Sequence, residues 1–127
     1  MVRLCSLILA LAVCVANGGQ RLGAKEAKLI GPWHVSSTDS THTLTFERDH
    51  TWTSSMWGGG ERFIDGSGTW RLENNEIVRE IKWSAYERLR KLYPNAQKPP
   101  RFVRETIEYL GATTLALKDG VTYTRGK

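Results

Sequence analysis

The chain has 127 residues, the length of one domain with little room for two. Its 18 basic and 13 acidic residues give a formal charge of +5, a modest basicity that does not by itself call for nucleic acid. Both cysteines, Cys5 and Cys14, lie in the first 16 residues, so the remainder has no disulfide framework and depends on packing.

The opening stretch, "MVRLCSLILALAVCVA", has a basic start at Arg3 and an apolar run from Leu4 to about Ala16. That run is shorter than the roughly 20 residues a bilayer span needs. A short apolar core ending in small residues reads as a secretory signal over residues 1–16, cut after Ala16 or at Gly18 or Gly19. A second reading makes Cys14 the lipid-modified first residue of a lipoprotein. "LAVC" resembles a lipobox but departs from it at Val13, where Gly, Ala or Ser is usual. Residues 17–28, "NGGQRLGAKEAK", read as a polar linker or tether. The domain proper is assigned to 29–127.

Within that domain, alternation of apolar and polar residues dominates, the mark of half-buried strands. "LIGPWHVS" gives a first strand over 29–36, with Pro32 implying an edge or an irregular start. "HTLTFERDHTWTSSMW" reads as a hairpin in which Leu44, Phe46, Trp52 and Ser54 share a face. Trp57 is off that parity and is expected at a rim or surface. "GGGERFIDGSG" reads as a Gly-rich connection with a short irregular strand at Phe63. "GTWRLENNEIVREIKW" is a second hairpin turning at Asn74-Asn75, since Asn tolerates the left-handed conformation of tight turns.

The period then changes. "SAYERLRKLYP" predicts a short helix near 84–93, with Ser84 and Glu87 spaced as a capping box and Pro94 as the stop. Ala85, Leu89 and Leu92 share its apolar face, which is expected to dock on the protein. Strands resume with "RFVRETIEYL", "TTLALK" and "VTYTR", the last two joined by Asp119-Gly120. The result is an all-β chain: an antiparallel up-and-down meander of seven to eight strands, closed as a barrel or left as a curled half-barrel.

In order, Gly31-x-Trp33, "LTFERDHTWT", "SGTWRLENNEIV" and "IEYLGATTLALKDGVTYTR" resemble the bacterial lipocalin-like families, small exported domains of about eight antiparallel strands. Pro32 and His50 depart from the commoner residues. His50 stands where the turn usually has Gly, and because a left-handed non-Gly residue costs about 1 kcal/mol, a different turn type is expected there. The resemblance implies a lipocalin-like barrel and, in general terms, ligand binding.

Candidate ligand-binding residues follow from the inward parity: Trp33, Phe46, Trp52, Trp70, Arg79 and Trp83. The aromatic members either fill the barrel or line a pocket for a hydrophobic molecule. Arg79 shares a strand face with Ile77, Ile81 and Trp83. Turned inward, it needs either a ligand carboxylate or Glu105, which shares a face with Val103 and Ile107. A cavity of several hundred Å³ lined by Trp33, Trp70 and Trp83 would favour ligand binding. From Lys82 to Arg104 there are seven basic residues and one acidic one. Arg88, Arg90, Lys91, Lys98 and Arg101 are therefore candidate contacts for an anionic surface or a protein partner.

His34, His42 and His50 stand eight residues apart, with no third ligand indicated, so no metal is expected. Asp49-His50 lacks a nucleophile elbow and an oxyanion-hole signal, and "WGGGERF" lacks the Lys and helix of a phosphate loop. No cofactor is implied. The reading is an exported, periplasmic, secreted or envelope-anchored monomer, not an enzyme, that binds a hydrophobic or amphipathic small molecule. The alternative is a filled barrel acting as an interaction module of the cell envelope or exterior. Export argues against a nucleic-acid partner.

Overall fold

The computed structural model describes residues 22–58 and 60–126. The predicted signal segment 1–16, with both cysteines, lies outside them. A short helix α1 (Ala24–Leu29) leads into eight strands: β1 (Gly31–Ser36), β2 (Ser40–Phe46), β3 (Thr51–Gly58), β4 (Glu61–Glu73), β5 (Glu76–Ser84), β6 (Phe102–Leu110), β7 (Thr114–Leu117) and β8 (Thr122–Thr124). A second helix, α2 (Tyr86–Leu92), sits between β5 and β6. Each strand pairs antiparallel with its sequence neighbour, and β8 returns to β1 at His34–Thr124, so the barrel is closed.

The predicted meander is present in full, and period two decides its inside. Trp33, Leu44, Phe46, Trp52, Trp70, Ile77, Ile107, Leu115, Leu117 and Tyr123 point inward as one buried cluster, joined by Leu29. The three indoles placed inside satisfy their N–H groups on backbone carbonyls: Trp33 on Leu29 at 2.9 Å, Trp52 on Glu80 at 3.1 Å and Trp70 on Glu47 at 3.1 Å. Phe46 meets Trp70 edge to face at 5.2 Å.

Gly31 takes φ +113°, which only glycine enters cheaply. The kink seats the Trp33 ring beneath Arg125, whose guanidinium carbon lies 4.0 Å from the ring centroid. Arg125 also donates to the carbonyls of Lys28 at 2.7 Å, Ile30 at 2.6 Å and Ala112 at 2.9 Å. One side chain thus ties α1, the start of β1 and the β6–β7 turn together at one end of the barrel. This end, with α1 across it, is the floor.

Five expectations need correction. Residues 24–28 are helical rather than linker, because Leu29 is drawn into the core and anchors the turns before it. The connection at 58–66 is mostly strand, since β4 already pairs from Glu61. The Ser84–Glu87 capping box does not form: Ser84 stays in β5, Ala85 is the N-cap, and Glu87 bonds Arg90 at 3.1 Å. α2 buries none of its own residues: only its N-cap, Ala85, is buried, and Leu92 is 72% exposed. Finally, His50 does take the left-handed conformation, at φ 65°. Its ring lies 4.9 Å from that of Trp70, its Nε2 meets Glu26 at 3.2 Å, and its carbonyl accepts the Trp70 amide at 2.8 Å. Those contacts offset the local strain.

Candidate functional site

Three bulges interrupt the ladders of the barrel. Between β3 and β4, Ser54 pairs with Gly66 and Ser55 with Ile64, leaving Asp65 as the extra residue. Between β4 and β5, Ser67 pairs with Trp83 and Gly68 with Ile81, leaving Lys82 extra. Between β6 and β7, Glu108 is passed over. An extra residue reverses the facing of everything beyond it. So Arg79 and Ile81 face inward, while Trp83 faces out and is 44% exposed. The expectation that Trp83 shares the inward face of Arg79 fails for that reason. Gly68 makes the bulge possible: a Cβ there would lie 1.8 Å from the Glu80 carbonyl oxygen.

The interior is divided. Around Trp33, Phe46 and Trp70 it is packed. Near the mouth, opposite α1, a cavity of about 250 Å³ opens beneath α2 and the loop that follows it. Trp52, Ser54, Gly66, Arg79 and Ile81 line it from the barrel, with Asp65 at the rim and Ser84, Ala85, Tyr86, Leu89, Ala96, Gln97 and Pro99 above. The cavity is therefore lined by Trp52 and Arg79 rather than by Trp33, Trp70 and Trp83.

Arg79 is held on two sides. Its Nη2 and Nε donate to the same oxygen of Glu105, at 3.0 and 3.3 Å, and its guanidinium carbon lies 4.7 Å from the Trp52 ring centroid. Both side chains of the pair are 13% exposed. The alternative left open by the sequence, Glu105 or a ligand carboxylate, is answered here by Glu105. Tyr123 completes this polar band: burial first, and the Glu105 carboxylate second, push its hydroxyl above the usual tyrosine range. Asp65 differs from Arg79. Its Oδ1 is shut away from solvent and has no donor among the described residues.

His42 Nε2 and Ser54 Oγ are 2.5 Å apart across the β2–β3 hairpin. A catalytic serine also needs an oriented base and donors for an oxyanion. Among the described residues, His42 bonds Ser54 and no carboxylate. Nor do those residues hold a group of three or more His, Cys, Asp or Glu arranged for a metal ion.

The basic candidates lie outside. Arg88, Arg90 and Lys91 are exposed on α2, and Lys98 and Arg101 on the loop after it. Arg101 donates to Glu80 at 2.9 Å and holds that carboxyl below its usual range. Trp83, Lys98 and Arg101 share the wall of an outer groove with Tyr86 and Pro100. Sequence reasoning missed Asp65, Ser84, Ala85, Leu89 and Arg125. The available signal for Asp65 was its place between Ile64 and Gly66, where a carboxylate interrupts a strand beside a glycine.

A closed eight-strand antiparallel meander with a capped floor and an open mouth defines a lipocalin-like barrel. No family model and no curated protein matches the chain. Solved structures do. A crystal structure of a lipocalin-like protein from Bacteroides uniformis is similar with TM-score 0.56 and 17% identity, over 76% of this chain and 94% of that one. An NMR structure of a protein from Bacteroides thetaiotaomicron is similar with TM-score 0.52 and 17% identity, over 79% and 90%. At that identity the likeness is one of fold.

Proposed function

We propose that this is an exported, non-catalytic protein that holds a small amphipathic molecule in the mouth of its barrel. One observation carries the reading: the packed core stops at Trp52, and above it a cavity of about 250 Å³ mixes apolar walls with a few polar groups. That mixture is the usual make-up of a ligand pocket, though the volume falls below the roughly 300–1,000 Å³ of drug-sized sites. The occupant is accordingly small. Ala85 is buried at the roof of the cavity, so Ala85→Phe should fill it from within the protein. Small aromatic probes titrated into labelled protein should shift the Trp52 indole resonance, and the filled variant should lose that response while keeping its fold. Probes that shift only surface resonances would refute the reading. Export rests on residues 1–16. Mass spectrometry of the protein recovered from its producing cell should show a chain starting near Asn17, or an acylated Cys14; an intact Met1 would refute it.

A second reading concerns the outside of the mouth. Leu89, Leu92 and Tyr93 are exposed beside Arg88, Arg90 and Lys91, with Phe63 adjoining across a shallow cleft. Apolar side chains fringed by cations suit an anionic surface. The protein should then sediment with phosphatidylglycerol vesicles, and Leu92→Glu should abolish this.

A further inference from the structure

The mouth cavity carries a charge imbalance that specifies its ligand further. Two charged residues line it, Asp65 and Arg79. Arg79 is neutralised from behind by Glu105, to which both of its bonding nitrogens turn. Its cation is thus already matched, and a ligand carboxylate placed there would face Glu105 and Asp65 together. Asp65 has no such match among the described residues. The bulge between Ser54 and Ser55 pushes it to the cavity rim, its backbone carbonyl accepts the Ala85 amide at 3.0 Å, and its Oδ1 is sealed off with no donor from those residues. A carboxylate with one oxygen shut from water and unpartnered is poorly solvated, so a cation brought to it gains more than it would at the surface.

We propose that the cavity selects a small organic cation: a primary or secondary ammonium on a compact apolar body. The ammonium sits at Asp65 Oδ2, the oxygen that is not shut away, and the body lies against Trp52, Ile81, Ala85 and Leu89. An ammonium supplies both a donor and a charge, and such charge-assisted bonds are about twice as strong as neutral ones. A bare metal ion fits less well. Calcium wants six to eight oxygen ligands, and the side chains of the lining offer one carboxylate, the Gln97 amide oxygen and the hydroxyls of Ser54, Ser84 and Tyr86. Size is bounded too: 250 Å³ is the room of roughly eight waters at about 30 Å³ each, so the ligand has about ten non-hydrogen atoms.

This inference rests on the proposed ligand-binding role, and the test separates the two. Three probes of nearly equal shape, phenethylammonium, 2-phenylethanol and phenylacetate, are titrated into labelled protein and followed at the Trp52 indole resonance. Phenethylammonium should bind at least tenfold more tightly than the other two. Asp65→Asn, which keeps the shape of the side chain and should leave the melting curve intact, should bring it down to the level of 2-phenylethanol. Should Asp65→Asn unfold the protein, Asp65→Ser serves the same comparison. Ala85→Phe should exclude all three. Equal or tighter binding of 2-phenylethanol or phenylacetate, or an amine affinity indifferent to Asp65→Asn, overturns the cation and leaves the cavity-binding role standing. Failure of all three to reach the cavity overturns both.

Discussion

The Arg79–Glu105 pair shows how far a single residue could be read from the chain. Period two placed Arg79 with Ile77 and Glu105 with Ile107, and the structure joins them at 3.0 Å across β5 and β6. Trp83, four residues further on, went astray by the same rule, because Lys82 is passed over in the ladder. A bulge is decided by contacts across strands, here the Glu80 carbonyl seated where Gly68 has no Cβ, and nothing in "VREIKW" announces it. Breaking a largely buried ion pair strands the survivor. Arg79→Leu and Glu105→Leu should therefore each cost about 3 kcal/mol in urea unfolding, and the double variant distinctly less than the total of the two. Tyr123 yields a pH prediction. Its folded-state pKa is raised above the ordinary tyrosine value of 10.0, so the folded protein keeps this proton after the unfolded chain begins to lose it. The associated stability is full below about pH 10 and is lost as pH rises through the folded pKa. Tyr123→Phe should make the fall in urea midpoint above pH 10 shallower; an unchanged slope would refute it.

At the scale of elements, the strands announced themselves and the helix α1 did not. Six of the eight strands have at least six residues, enough for alternation to register. α1 has six residues and one apolar anchor, so "AKEAKL" looks like spacer until the floor it covers is known. What holds it is tertiary: Leu29 is fully buried, Lys25 Nζ donates to Asn75 Oδ1 at 2.8 Å, and Glu26 meets His50. Leu29→Ala should cost about 3 kcal/mol in thermal or denaturant unfolding. A change within 0.5 kcal/mol would return α1 to the status of a tether. For α2 the helix itself was legible and its cap was not. Its start depends on where β5 lets go, one residue later than the Ser84 spacing implies.

For the whole molecule, strand order was open to inspection because each connection is short and antiparallel, while the distribution of empty space was not. Inward residues alternate alike in the packed half and in the mouth. Only the volumes around Ser54, Gly66 and Ala85, all small, leave the upper half unfilled. Ala85→Phe should therefore raise the melting temperature or leave it unchanged, as filling a void does when the added ring fits. A drop of several degrees would mean that the space is needed by the fold. Closure of the barrel has a consequence for timing. Arg125 holds carbonyls up to 97 residues upstream, and β8 meets β1 through His34–Thr124. During synthesis the ring stays open until that arginine has left the ribosome, and contacts this distant in sequence form slowly. A nascent chain of this design stays unlocked until β8 and Arg125 have both emerged, however early the strands before them pair.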